Sequence, residues 1–338
     1  MGDIGIDFGG NPVPIVDFGL FLNPPSPEAK KATANSIVQA FGTVGFVYLM
    51  NHGIPQDKVD ECYDWSKKFF ALPLEEKKKC LRVHPPTGPY HRGFSGVANT
   101  GPVVRQALEM SRDDVPEFPN RWPDESALPH FKDFCLDFFQ TCYKSQLDIL
   151  HAIALGLGLE EDYFDSYHTQ KENQLRFLYY PSVDEHSLRS GDEERLDAHT
   201  DIRTLTMLFQ DEVGGLEVED PYNPGVFRSS PPIKGAMIVN IGDLLQRWTN
   251  DMLHSPMHRV RAPPLKETEE VDSTGAKVKM TPPRYSIPYF ATPNLDAIIE
   301  CIPGSWNETR AKKYEAINTQ DYIDMTVKSK QRQYNYVK

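Results

Sequence analysis

Apolar residues recur at helical spacing in three stretches of the first half of the chain. The first lies in residues 27–44, the second in residues 56–72, and the third and longest in residues 130–159. Apolar positions three and four residues apart predict two amphipathic helices and one long helix whose end is marked by glycines. Short apolar runs at residues 12–22 and 45–49 predict strands beside them.

From residue 173 onward the helical period gives way to short runs that are apolar or alternate between apolar and polar residues. The runs are QLRFLYYPS, HTDIRTLTMLFQD, GLEVED, GVFRSS, GAMIVNIGD, SPMHRVRA and RYSIPYF. Short strands separated by turn residues at close spacing are typical of an antiparallel barrel or a double-sheet jelly roll. The chain is therefore predicted to be mainly β with flanking helices.

Three further stretches predict the connections and the C-terminal end. Residues 84–104 are rich in proline and glycine and predict an irregular loop around HRGFSG. Residues 265–282 are polar, charged and long for a hairpin connection, so they predict a lid or a solvated loop. Residues 310–330 predict a short helix and a basic tail.

The composition narrows the possible partners and compartments. A formal charge of −12 over 338 residues argues against a nucleic-acid or anionic-membrane partner. No apolar run approaches the roughly 20 residues of a membrane helix, and the first residues lack the pattern of a signal peptide. The five cysteines form no CxxC pair, which favours structural thiols in a reduced, cytoplasmic setting.

Candidate metal ligands lie in HTDIRTLTMLFQD. His199 and Asp201 are separated by one residue, so on a strand both side chains would point to the same face. A third ligand must come from a distant strand, and MLHSPMHRV offers His254 and His258. His258 falls well inside the predicted strand, whereas His254 falls near its start and is assigned no chemistry. Two imidazoles and one carboxylate leave three octahedral positions open, as in the facial triad of non-haem Fe(II) oxygenases.

A candidate anion site follows in RYSIPYF. Arg284 and Ser286 would share one face of a strand, so that a guanidinium and a hydroxyl converge on one anion. The planar fork of arginine suits a carboxylate. An RxS pair alone is a weak signal, and it gains weight because it follows the second histidine in a predicted barrel.

Ten segments, in their order along the chain, resemble the iron(II)- and 2-oxoglutarate-dependent dioxygenases of the isopenicillin N synthase-like group. They are PVPIVDF, GFVYLMNHGIP, FFALPLEEK, HRGFSG, NRWP, YYP, HTDIRTLTMLFQDEVGGLEV, NIGDLLQRWTND, SPMHRV and RYSIPYF. The resemblance covers most of the chain and implies a double-stranded β-helix (jelly-roll) core with a long supporting helix. It implies an N-terminal α/β region at 1–172, the catalytic core at 173–295 and a C-terminal helical tail at 296–338, packed as one structural unit.

The resemblance also implies two sets of site residues. The implied iron ligands are His199, Asp201 and His258. The residues implied to grip the distal carboxylate of 2-oxoglutarate are Arg284, Ser286 and Tyr180. Many plant members carry Asn two residues before the Tyr180 position, where this chain has Leu178, so one polar contact to the co-substrate is missing or supplied elsewhere. The gap between the second histidine and the arginine is also longer than in many plant members.

The reaction that the resemblance implies oxidises an unactivated C–H bond of a small molecule, by hydroxylation, desaturation or cyclisation. It releases succinate and CO2 and belongs to secondary metabolism. The implied cofactor is Fe(II), and the implied co-substrates are 2-oxoglutarate and O2, with ascorbate as a supporting reductant. The protein is expected to be a monomer or a weak homodimer.

Two other hypotheses remain open on the sequence. An Fe(II) oxidase of the same fold that uses no 2-oxoglutarate, like isopenicillin N synthase, would direct the RxS pair at another carboxylate. A barrel that only binds a small molecule or a structural metal is disfavoured, because a structural zinc site normally has a fourth protein ligand.

Four residues are candidates for substrate contact. Arg92 in HRGFSG is implied to border the active site, and Arg176 shares a strand face with Tyr180 and so points into the predicted barrel or into a buried ion pair. Phe94 and Phe290 are candidate apolar walls of the pocket, with core packing as the alternative for both.

Overall fold

The computed structural model describes residues 12–82, 91–96, 105–190, 195–261, 268–271 and 277–336. Its helices are α1 (Gly19–Leu22), α2 (Pro27–Thr43), α3 (Gln56–Ala71), α4 (Leu74–Lys78), α5 (Phe131–Leu157), α6 (Glu185–Ser190), α7 (Asp243–Trp248) and α8 (Thr319–Tyr336). The three long predicted helices are confirmed as α2, α3 and α5. The side chain of Ser26 accepts a hydrogen bond from the Ala29 amide at 3.2 Å and so caps α2, while Gly158 ends α5 in the left-handed conformation.

Sixteen strands are present in the described part of the chain. They are β1 (Ile15–Asp17), β2 (Phe46–Met50), β3 (Gly93–Ser95), β4 (Gln106–Met110), β5 (Gln174–Tyr180), β6 (Leu196–His199), β7 (Leu205–Gln210), β8 (Leu216–Glu219), β9 (Phe227–Ser229), β10 (Met237–Ile241), β11 (His258–Val260), β12 (Thr268–Val271), β13 (Lys277–Met280), β14 (Arg284–Ala291), β15 (Ile298–Ile299) and β16 (Ile317–Asn318). The predicted series of short strands after residue 173 is confirmed.

Two sheets form the core. The larger has the order β1-β2-β10-β7-β14-β5-β4-β3, and the smaller has the order β6-β11-β8-β9. Apart from the parallel pair β1 and β2, the neighbours in these sheets are antiparallel. Strands from the first half of the chain thus form both ends of the larger sheet, and the long helix α5 packs against α2, α3 and β14.

Four local predictions need correction. The run 12–22 is a strand only at Ile15–Asp17 and then turns into α1. HRGFSG is not wholly irregular, because it contains β3; residues 84–90 and 97–104 lie outside the described residues. Within 265–282 the described residues form the hairpin β12–β13, and α8 is longer than the predicted short helix, at 18 residues.

The segment HTDIRTLTMLFQD is not one strand. It is split into β6, which ends at His199, and β7, which begins at Leu205. The backbone carbonyls of Asp201, Ile202 and Thr204 instead accept hydrogen bonds from the amides at residues 242–244, at 2.7–3.1 Å. These hydrogen bonds satisfy the first amides of α7. They also hold the residues between β6 and β7 in a bend that leaves the sheet.

Within the described ranges, no helix is long and apolar enough to cross a membrane. All five cysteines are buried free thiols.

Candidate metal centre

The three candidate ligands converge at one end of the smaller sheet. His199 ends β6 and lies directly opposite His258, which begins β11. Asp201 follows in the connection to β7, and its Oδ1 lies 3.8 Å from His199 Nε2 and 3.9 Å from His258 Nε2. The three ligand atoms all lie within 4.8 Å of one another. The expectation that His199 and Asp201 share a strand face is wrong, and the bend after β6 brings the carboxylate to the imidazoles instead.

Hydrogen bonds on the far side of each ring orient the two imidazoles. His199 Nδ1 lies 2.8 Å from the Asp197 carbonyl oxygen, and His258 Nδ1 lies 3.2 Å from that of Pro256. A carbonyl can only accept, so each Nδ1 carries the proton and donates it. When the ring is neutral, each Nε2 therefore presents a lone pair to the common centre, which is the tautomer that a metal ligand needs.

The carboxylate is held from behind by two donors. Asp201 Oδ2 accepts hydrogen bonds from the Thr206 hydroxyl at 2.5 Å and from Asn240 Nδ2 at 2.9 Å. Burial raises the pKa of Asp201, but His258, His199 and these two hydrogen bonds outweigh it and lower the pKa to about 2. The group is therefore ionised at neutral pH, and Oδ1 is the oxygen that faces the two Nε2 atoms.

Asp243 connects the two segments that carry the candidate ligands. Its carboxylate accepts from the Thr200 hydroxyl at 2.9 Å and from the Ser255 hydroxyl at 2.7 Å. Asp243 is the first residue of α7 and does not cap it, because the N-cap is Gly242 and no side chain caps the helix there. Asp243 instead ties the loop of Asp201 to the approach of β11.

The predicted anion site is buried at the start of β14. Arg284 lies opposite Tyr180 in the strand pair β14–β5 and is 1% exposed. Its Nη1 donates to the Ser286 hydroxyl at 3.1 Å and its Nε donates to the Gly214 carbonyl at 2.9 Å. The Tyr180 hydroxyl is buried and has no hydrogen-bond partner among the described residues. These three groups suit an incoming carboxylate, because the buried guanidinium bonds only to neutral oxygens and the hydroxyl and the phenol lie beside it.

Both sites open into one cavity of about 630 Å³. Its walls include all six residues predicted to hold iron and 2-oxoglutarate, which are His199, Asp201, His258, Arg284, Ser286 and Tyr180. The larger sheet therefore supplies the anion site and the smaller sheet the two histidines, which face the same space. A chelating 2-oxo acid could reach the metal centre and the buried arginine together.

Comparison with known proteins decides the family. Residues 171–293 match the family model of the 2OG-Fe(II) oxygenase superfamily, and residues 13–125 match that of the N-terminal region of non-haem dioxygenases in morphine synthesis. A relative from Petromyces alliaceus, named proline hydroxylase buaE, is 37% identical over 88% of this chain and 93% of its own. The chain belongs to the 2-oxoglutarate- and Fe(II)-dependent oxygenases.

Two further relatives support the same assignment. The 2-oxoglutarate-dependent dioxygenase frbA of Dothideomycetidae sp. (strain 11243) is 36% identical, over 86% of this chain and 88% of its own. The crystal structure of a full-length Neurospora crassa protein in complex with alpha-KG and thymine superposes with a TM-score of 0.84 at 35% identity, covering 94% of this chain and 96% of that chain. The jelly-roll fold, the oxidoreductase class and the use of Fe(II) and 2-oxoglutarate are thereby confirmed for this dioxygenase.

The four candidate substrate residues of the dioxygenase divide into two pairs. Arg176 and Phe290 line the cavity, and the Arg176 guanidinium carbon lies 4.9 Å from the centre of the Phe290 ring. Phe94 is fully buried against Phe69, with ring centres 5.9 Å apart, and does not line the cavity. Arg92 is also outside the cavity wall, and its Nη1 donates to the Arg112 carbonyl at 2.9 Å.

Arg176 forms the ion pair that the sequence offers as one of its two possible roles. Its Nη2 lies 2.7 Å from Oε1 of Glu109, and Arg82 Nη1 lies 3.1 Å from Oε2 of the same carboxylate. Glu109 is 3% exposed, so one buried carboxylate serves two guanidiniums. The ion pair holds Arg176 in place at the cavity wall.

Replacing Glu109 with glutamine is expected to lower the free energy of unfolding by about 3 kcal/mol at pH 7, because two guanidiniums lose a buried anionic partner. Burial raises the pKa of Glu109, but Arg176, His91 and Arg82 outweigh it and lower the pKa below its ordinary value. The contribution of this carboxylate to the free energy of unfolding is therefore complete above the ordinary pKa of a glutamate. It is lost as the pH falls through the lower pKa that Glu109 has in the folded protein. Urea unfolding of both proteins at pH 7 and at about pH 4 measures the difference, which should shrink at the lower pH.

The matched control for this change is Glu75→Gln, at an exposed glutamate paired with Lys78 three residues away. It should cost less than about 0.5 kcal/mol at either pH. A loss from Glu109→Gln as small as that of the control would contradict the assigned role of Glu109.

Several contributors to the site were missed by the sequence interpretation. Asn240 and Thr206 hold Asp201, and Ile323 and Val327 of α8 line the cavity. Thr206 lies on an alternating strand five residues after Asp201, which is a weak signal. The others come from distant parts of the chain and carry no local signal.

Asn240→Ala removes one of the two donors to Asp201 Oδ2. The iron affinity of the oxygenase is expected to fall about 10–100-fold, because partners that orient a metal ligand typically contribute that much. Anaerobic equilibrium dialysis against Fe(II) measures the change, with Asn223→Ala in a distant turn as the control. Equal iron affinity in Asn240→Ala and wild type would contradict the positioning role of Asn240.

Proposed function

We propose that His199, Asp201 and His258 hold Fe(II), and that Arg284, Ser286 and Tyr180 hold the distal carboxylate of 2-oxoglutarate. The observation that carries the proposal is the convergence of two Nε2 atoms and one carboxylate oxygen within 4.8 Å of one another. Three protein ligands on one side are the donor set of a non-haem Fe(II) centre with open positions. No fourth protein ligand is found beside them in the described part of the chain.

In this proposal the protein supplies binding, orientation and a dry site. With 2-oxoglutarate and O2, the bound iron supplies the oxidising power that cleaves a C–H bond, with release of succinate and CO2. The carbonyls of Asp197 and Pro256 keep both imidazoles in the metal-binding tautomer. Arg284 fixes one end of the co-substrate, so that its 2-oxo acid end is directed toward the ligand cluster.

We propose further that Arg176 and Phe290 contact the substrate. Both line the cavity, and a guanidinium held by Glu109 against an aromatic ring offers a fixed cation beside an apolar face. Relatives named proline hydroxylase and 2-oxoglutarate-dependent dioxygenase support a small organic substrate and a role in secondary metabolism. The outcome at the oxidised carbon is hydroxylation, desaturation or cyclisation.

The partners and the compartment of the protein are part of the same proposal. We infer a cytoplasmic monomer or weak homodimer that acts on small molecules rather than on nucleic acid or membranes. The formal charge of −12 and the buried free thiols support this inference.

Anaerobic titration of the purified, Fe(II)-loaded protein with 2-oxoglutarate tests the proposal. A weak visible charge-transfer band from iron to the 2-oxo acid should appear, and admission of O2 should yield succinate. Iron binding without a band or succinate would favour the oxidase that takes its electrons from substrate, and Arg284 would then be a substrate clamp.

A further inference from the structure

A second arginine is buried beside the proposed carboxylate site. Arg195 directly precedes β6 and is 1% exposed, as is Arg284. The guanidinium carbons of Arg284 and Arg195 lie 5.1 and 5.9 Å from the centre of the Tyr180 ring. Two buried cations therefore flank the same aromatic ring.

Arg195 has no carboxylate partner among the described residues. Its Nη2 donates to the Pro282 carbonyl at 2.8 Å and to the Thr281 hydroxyl at 3.3 Å, while Nε and Nη1 are buried without a partner. Burial and the nearby charge of Arg284 lower the pKa of Arg195 to about 10, which leaves it charged at neutral pH. An unpaired buried cation is unfavourable and is stabilised when an anion enters.

One carboxylate, Asp211, lies close enough for its charge to act on both arginines. Its oxygens accept from the backbone amides of Tyr285 at 2.5 Å and Val213 at 3.0 Å, and from neither guanidinium. Among the residues that the structure describes here, two guanidiniums and one carboxylate leave one positive charge uncompensated. A single carboxylate group bound at Arg284 would neutralise it.

We propose that Arg195 is a positioning residue whose charge strengthens binding of the distal carboxylate of 2-oxoglutarate without touching it. This inference rests on the proposed function, which places that carboxylate at Arg284 and Tyr180. Arg195 does not line the cavity, so its effect is electrostatic and reaches the ligand through the ring of Tyr180 and the neighbouring guanidinium. The low dielectric of a buried site makes a charge effective at this range.

An alternative role for Arg195 is purely mechanical. Its bonds to Thr281 and Pro282 anchor the residues that lead into β14, and so hold the strand of Arg284. The two roles differ in their dependence on the ligand. An electrostatic role acts only on a ligand with a distal carboxylate, whereas an anchor affects every ligand that needs a well-placed β14.

Two ligands separate these roles. The Fe(II)-loaded full chain is titrated anaerobically with 2-oxoglutarate and with 2-oxopentanoate, which keeps the 2-oxo acid but lacks the distal carboxylate. Arg195→Met is expected to lower the affinity for 2-oxoglutarate about tenfold, equivalent to about 1.4 kcal/mol. Its affinity for 2-oxopentanoate should stay within about twofold of the wild-type affinity. Thr281→Val removes one anchor but no charge, and should leave the ratio of the two affinities unchanged.

The inference is overturned if Arg195→Met weakens both acids equally, or weakens neither. Arg195→Gln also lacks the charge but retains a donor for the Pro282 carbonyl, and it replaces the methionine variant if that protein does not fold. Absence of the band in iron-loaded wild type with 2-oxoglutarate is a separate outcome, which overturns the proposed function and this inference with it.

Discussion

Replacing His258 with alanine is expected to abolish the charge-transfer band with 2-oxoglutarate and to reduce succinate formation below detection. His258 Nε2 lies 3.9 Å from Asp201 Oδ1, and its ring centre lies 4.3 Å from that of His199, so its loss leaves two of the three convergent donors. Loss of an outer partner of a ligand alone costs about 10–100-fold in metal affinity, and loss of a ligand itself should cost more. Asp201→Ala should act the same way, because it removes the only anionic donor of the three.

The control for this prediction is four residues away in the same segment. His254 is exposed and does not belong to the ligand cluster, so His254→Ala should bind iron as wild type does. Iron content by metal analysis, the band and succinate yield are measured on all three variants and wild type. Retention of the band in His258→Ala would show that the metal is held elsewhere.

Replacing Arg284 with methionine should weaken the binding of 2-oxoglutarate by about 30–3,000-fold without loss of iron. A buried charge pair that loses one partner typically costs about 2–5 kcal/mol, and the tenfold step is about 1.4 kcal/mol. Arg284→Lys keeps a charge but loses the planar fork, so its affinity for 2-oxoglutarate should lie between that of Arg284→Met and that of wild type. The anaerobic titration measures the affinity, and dialysis against Fe(II) confirms that the metal site is intact.

Arg228→Met is the matched control for the loss of Arg284, since it removes an exposed arginine from β9, where the side chain pairs with Asp220. Its affinity for 2-oxoglutarate should equal that of wild type. If Arg284→Met kept wild-type affinity for 2-oxoglutarate, the carboxylate would have to bind at another place in the cavity.

Much of the fold followed from local periodicity. The helices α2, α3 and α5 each expose one face and bury the other, and such a face repeats every three to four residues in the sequence itself. Most short strands after residue 173 were also predicted, because alternation and turn residues mark them. Errors arose where tertiary hydrogen bonds outweighed the local pattern, as in the connection after His199, whose carbonyls bond to the start of α7.

The site was predicted in part for similar reasons. Five of the predicted residues lie within short segments that can be recognised in the sequence, and all five line the cavity. They are His199, Asp201, His258, Arg284 and Ser286. Two candidate substrate residues, Arg92 and Phe94, also lie in a recognisable segment, HRGFSG, but they are outside the cavity wall. A recognisable segment does not by itself determine which way a side chain points on an edge strand such as β3.

The sequence by itself determined the types of the donors, the order of the segments and the family. Only the tertiary structure decided how those donors are held. Asn240 reaches Asp201 across 39 residues, and Arg195 reaches Thr281 across 86. Contacts between residues this far apart depend on how sheets and loops pack, and packing at such distances leaves no period in the sequence.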